Sequence, residues 1–131
     1  MKLTKSFQLS EFACNDGTQV PESLIPNVKE LAKNLQVLRD EIEEMFKGSE
    51  KLPIITVNSG YRSLSWNKKV GGAKNSMHLK AMASDLVCKS LTPKQLKAVI
   101  EKLIKEGKMK NGGIGLYPSF VHYDIGATRR W

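Results

Sequence analysis

The sequence predicts an α+β domain, a small, largely antiparallel sheet packed with helices. Three observations carry the prediction. Segments near residues 26–46 and 92–106 repeat apolar residues at helical spacing. Four short runs rich in β-branched or alternating apolar residues stand apart from them. Glycine- and proline-containing turn signals punctuate the chain between these segments. The 131 residues read as one domain, 1–131, long enough to bury a core of its own.

Residues 6–25 read as an irregular lead-in, with a short helical turn at Ser10-Glu11-Phe12 and a turn at Asp16-Gly17. The first helix runs from about Pro26 to Phe46. Val28, Leu31, Leu35, Leu38, Ile42 and Phe46 form its apolar stripe, Pro26 suits its first turn and Gly48 its stop. Residues 53–58 read as a strand, followed by the turn Ser59–Ser63 and a polar connection over 64–77. Residues 82–87 read as a second strand, with Ala83, Asp85 and Val87 on one face and Met82, Ser84 and Leu86 on the other. Thr92-Pro93-Lys94-Gln95 is a capping box that opens the second helix, which Gly107 ends. After the turn Asn111-Gly112-Gly113, residues 113–117 and 119–125 read as two strands forming a hairpin around Pro118.

A hydrophobic fraction of 40% and a charged fraction of 26% are those of an ordinary globular protein. The net charge of +8 points to a polyanionic partner, with nucleic acid and an anionic bacterial cell wall as candidates. No basic stripe interleaved with aromatics is present, so nucleic acid is not expected. No apolar run approaches the roughly 20 residues of a membrane span. Met1–Ser6 leads into no apolar signal region, so the expectation is synthesis in the cytoplasm without Sec export; a monomer is expected. Cys14 and Cys88 are far apart, form no CxxC pair and read as reduced thiols.

The chain has only two histidines. His78, Asp85 seven residues on, and His122 near the C-terminus supply three ligands, the number a catalytic zinc site uses when it leaves one position open for water. On a strand, Asp124 points to the same face as His122. There it could orient the imidazole, accept a proton from metal-bound water, or pair with an arginine. Arg62, on the tight turn after Ser59-Gly60-Tyr61, suits bidentate binding of a carboxylate or stabilisation of an oxyanion. Taken alone, it is an ordinary surface arginine. This donor set suggests a metallohydrolase.

Several spaced runs together resemble the zinc D-Ala-D-Ala carboxypeptidase family, whose members cut the stem peptides of peptidoglycan. The lead-in Leu9–Cys14, the stretch Val57–Ser63, Asn67, Val70–Ala73, then Ser76 and His78 are similar to that family's central signature. Its motif Ser-x-His, two residues, Gly-x-Ala-x-Asp is matched at Ser76, His78, Ala83 and Asp85. Gly113–Pro118, Phe120–Asp124 and Arg129-Arg130-Trp131 look most like its short single-domain peptidases and their murein endopeptidase relatives, phage endolysins among them.

The resemblance implies the fold shared by D,D-peptidases and the Hedgehog signalling domain. It implies Zn2+ held by His78, Asp85 and His122, with Arg62 binding substrate or the tetrahedral intermediate and Ser76 lining the site. The family glycine between His78 and Asp85 is Ala81 here, where glycine would suit a special backbone conformation. Some members carry a glutamate general base three residues before the last ligand, where this chain has Ser119. Asp124 is then the candidate base. The expected activity is zinc-assisted hydrolysis of a peptidoglycan peptide bond, with a phage-type lysis enzyme acting at the wall as the fitting biology. Its rivals are a catalytically inactive zinc-containing wall-binding module and a basic nucleic-acid-binding protein.

Overall fold

Helix α1 spans Ile25–Met45 in a computed structural model that describes residues 1–131. Its stripe of Val28, Leu31, Leu35, Leu38 and Ile42 is fully buried, each side chain contributing about 1.5–3 kcal/mol by leaving water. Helix α3, Pro93–Lys105, begins as its capping box predicts: Thr92 accepts the Gln95 N–H, and the Gln95 side chain accepts the Thr92 N–H. Leu96, Val99, Ile100 and Leu103 form its buried side. Helix α3 packs on the sheet and α1 packs on α3.

The sheet has five strands: β1 Ile55–Ser59, β2 Ala83–Cys88, β3 Gly113–Leu116, β4 Val121–Asp124 and β5 Arg129–Arg130, in the order β1-β2-β4-β3-β5. Alternation along the strands sorts their side chains. Leu86, Ile114, Val121 and Tyr123 join the hydrophobic core, while Asp85, His122 and Asp124 lie on the opposite face.

Three differences from the sequence expectations concern this face. The sheet is largely antiparallel, as expected, in β1·β2, β2·β4 and β3·β4, but the unexpected strand β5 pairs in parallel with β3 and makes the sheet mixed. After β4 the chain reverses and runs along the outer side of β3, so it is antiparallel to β4 and therefore parallel to β3. The connection over 64–77 is not uniformly irregular, because Leu64–Lys69 forms helix α2. Ser63 starts that helix by accepting the Trp66 N–H. Met77–Lys80 forms a single 3₁₀ turn, which Ser76 caps by accepting the His78 N–H.

Ala81 ends that turn in the left-handed conformation, at φ +56°, and is the only non-glycine residue with positive φ. The special backbone conformation is therefore adopted with alanine in place of glycine. Cys14 and Cys88 are buried and unbridged. No helix is long and apolar enough to cross a membrane.

Candidate metal centre

One row of residues crosses the sheet. Ser59 pairs with Asp85, Asp85 with His122, and His122 with Gly115. The β3·β5 ladder continues one residue further, since Trp131 N–H donates to Ile114 O and Trp131 O accepts from Leu116 N–H. Trp131 therefore lies beside Gly115. Asp85 and His122 are neighbours because of this register, and the 3₁₀ turn carries His78 over them.

The three donor groups converge. His78 Nε2 stands 3.3 Å and His122 Nδ1 3.2 Å from Asp85 Oδ1. All three ligand atoms lie within 4.8 Å of one another, and all three residues are buried. Two ligands of a tetrahedral zinc ion with bonds near 2.0–2.1 Å stand about 3.3 Å apart, and both imidazole–Asp85 separations match that spacing.

The second nitrogen of each ring is also held. His78 Nδ1 lies 2.7 Å from the Gly60 carbonyl, and His122 Nε2 lies 2.7 Å from Asp124 Oδ2. A carbonyl can only accept, so His78 donates from Nδ1, and Nε2, the nitrogen that faces Asp85, is the one available to a metal. Asp124 similarly fixes the His122 tautomer, leaving Nδ1 for a metal.

Asp124 is fully buried on the far side of the His122 ring. Its Oδ1 accepts the N–H groups of Gly113 and Gly126, and Oδ2 also meets Arg129 Nη2 at 3.4 Å. Burial disfavours its charge, but these hydrogen bonds and the His122 ring outweigh burial and hold the carboxyl below the usual range. Burial opposes the charge of Asp85 too; hydrogen bonds and charge from His122 and His78 prevail and lower its pKa. For His122, burial alone would lower the pKa, yet the two carboxylates raise it.

Arg62 reaches the site from the turn after β1. Its Nε donates to Ser59 at 3.4 Å, Nη1 to Asn67 at 3.3 Å and Nη2 to Asp85 at 3.5 Å. Buried Asn67, on α2, also donates to the Ala73 carbonyl and so anchors the Gly71–Ala73 loop. Ser76 lines the groove, with its hydroxyl engaged by the His78 N–H. All the residues singled out from the sequence, namely Arg62, Ser76, His78, Asp85, His122 and Asp124, are thus brought to one face.

Sequence reasoning assigned no role to the far wall of the groove. Trp131 packs on the His122 ring at 4.9 Å between centroids and donates from Nε1 to Tyr117 Oη at 2.7 Å. Tyr117 stacks on Phe120 at 4.4 Å. The two β3 glycines on the site face make room for this wall. A Cβ on Gly115 would sit 2.5 Å from the Trp131 indole, and one on Gly113 would collide with the Asp124 carboxylate. The signal was the alternation Gly113-Ile114-Gly115 in a strand, which marks close approach by neighbouring groups.

The groove above the triad has a volume of about 490 Å³, and Asp85 is the sole acidic residue lining it. A buried three-ligand centre at the floor of an open groove can expose a bound metal to an extended substrate. Residues 5–124 match the family model described as Peptidase M15. No curated protein matches the chain.

Proposed function

The chain belongs to the Peptidase M15 family, and on that premise we propose that it is a zinc metallopeptidase that hydrolyses peptide bonds of peptidoglycan, on a scaffold of the Hedgehog and D,D-peptidase type. One observation carries the reading: His78, Asp85 and His122 converge with the second nitrogen of each imidazole already bound, at Gly60 O and Asp124 Oδ2. Such pinning is what metal-ligating histidines require.

Bound zinc would supply Lewis acidity and a water of lowered pKa. His78, Asp85 and His122 would hold it. Arg62, beside Asp85 and tied to Ser59 and Asn67, presents a rigid guanidinium to the oxygen that gains charge as the amide is attacked. Asp124 orients His122. Its complete burial and its contacts at both oxygens favour this role over proton acceptance. Ser76 shapes the floor by capping the turn that carries His78.

The basic surface supports action at an anionic wall, as in a phage-type lysis enzyme. The test is digestion of purified peptidoglycan with and without a chelator, with the products weighed by mass spectrometry. New chelator-sensitive peptides, absent with His78→Ala, are expected. One zinc per chain with no new products from several wall types would favour the inactive binding module instead.

A further inference from the structure

We propose that Arg129, seated on Trp131, is a receptor for a free carboxylate of the substrate, across the groove from Arg62. The proposal rests on the peptidase reading and adds a substrate requirement: the peptide must carry a carboxylate within reach of the groove's aromatic wall.

The sheet order places the two arginines on opposite flanks. Arg62 follows β1 at one edge and Arg129 lies in β5 at the other, with Asp85 and His122 on the strands between. Both line the groove. Their hydrogen-bonding states differ. Arg62 donates from all three of its nitrogens to Ser59, Asn67 and Asp85, and its side chain is 17% exposed. Arg129 makes one side-chain hydrogen bond, from Nη2 to Asp124 at 3.4 Å, and is 54% exposed. Its Nε and Nη1 have no protein partner, so it retains donors for a carboxylate oxygen pair.

Arg129 is also held in place. Its guanidinium lies 4.8 Å from the Trp131 ring centroid. Trp131 in turn is fixed by the β3 ladder, by Tyr117 Oη and by the space above Gly115. A donor held on a rigid aromatic surface loses little rotamer freedom on binding. Charge points the same way. Between Lys51 and Ile100 the chain has nine lysines or arginines and one acid, Asp85. Of these only Arg62 and Asp85 line the groove, where Arg129 is the second cation, so the remaining bases add a long-range field that favours anionic peptides.

The test compares a peptidoglycan stem tetrapeptide in free-acid form with the same peptide fully amidated. Calorimetry measures binding to the full-length protein stripped of metal, so that no bond is cut. The wild type should prefer the acid form by about ten- to a hundredfold, the range of a charge-assisted hydrogen bond. Arg129→Gln should bind both forms equally, at the wild-type affinity for the amide, and Arg129→Lys should keep part of the preference. Zinc affinity of Arg129→Gln, from chelator competition, should stay within a few-fold of wild type. A wild type without preference, or an Arg129→Gln variant that keeps it, overturns the proposal. So does equal loss of both peptides together with zinc, which would make Arg129 a prop for Asp124. Failure of the zinc-loaded wild type to cut either peptide or whole peptidoglycan counts against the peptidase reading alone, because the binding ratio still decides Arg129.

Discussion

Asp124 stands behind His122: Oδ2 lies 2.7 Å from Nε2, while Nδ1 of the same ring faces Asp85 at 3.2 Å. The ring is therefore held between two carboxylates. Asp124→Asn should weaken zinc binding about 10–100-fold, the usual cost of losing such an orienting partner. Excess zinc should restore most of the hydrolysis. Unchanged zinc affinity with a collapsed kcat at saturating zinc would instead make Asp124 the proton acceptor.

Metal binding should stabilise the fold, because the three ligands lie on separate segments that only the native state brings together. At a thousandfold excess of zinc over its Kd, the gain is about 4 kcal/mol. Calorimetric melting should show a fall of about 10 °C or more on chelation. His78→Ala should show no zinc-dependent shift.

Ala81 has φ +56° and is buried, whereas buried Ala83 has no such conformation. Glycine at 81 would remove about 1–2 kcal/mol of left-handed strain. It would also lose a buried methyl and gain unfolded-state freedom, together of similar size. Ala81→Gly should therefore lie within about 1 kcal/mol of wild type, while Ala83→Gly should cost about 1–2 kcal/mol. Urea midpoints of the two variants check the contrast, and equal losses would refute it.

Gly115 leaves space for the Trp131 indole. Gly115→Ala should lift the indole off His122 and cost about 1–3 kcal/mol through overpacking. In a Trp66→Phe background, which leaves Trp131 as the only tryptophan, its emission should shift to the red. An unshifted spectrum would show that the wall tolerates the added methyl.

Asp16 ties the lead-in to the segment that carries Arg62. It accepts the Thr18 N–H at 2.9 Å and the Ser63 hydroxyl at 3.0 Å. Hydrogen bonds from Thr18, then Cys14 and Ser63, hold its carboxyl well below the usual range. Because the folded pKa is depressed, its contribution is complete above the unfolded value of about 3.9 and is lost as pH falls through the folded one. The stability difference between wild type and Asp16→Asn should be constant from pH 7 to 5 and shrink below pH 4, as read from urea melts. A difference that persists at pH 2 would point to shape rather than charge.

Helices α1 and α3 were legible because their apolar stripes repeat over several turns and their starts carry local chemistry, Pro26 and the Thr92–Gln95 box. Helix α2 was not, because its six residues are too short to show a period, and only the Ser63 cap marks it. Strand β5 is two arginines at a sheet edge, with no alternation to read. His78, Asp85 and His122 could be named from their types and spacing. That Asp124 lies behind His122 while Asp85 lies before it could not, since this depends on ring orientation. Arg129 and Trp131 reach the groove only through a parallel ladder, which no local pattern announces.

The triad joins one local pair to one distant partner. His78 and Asp85 arrive together on a turn and its following strand, whereas His122 comes from β4, 37 residues beyond Asp85. Pairing β4 with β2 closes a long loop, the slow kind of step in folding. The centre therefore matures only when the sheet does, and any fluctuation that parts β4 from β2 strips away the third ligand. Opening of that ladder would then set a floor under the rate of metal loss, because one donor leaves with β4 however the groove admits a chelator.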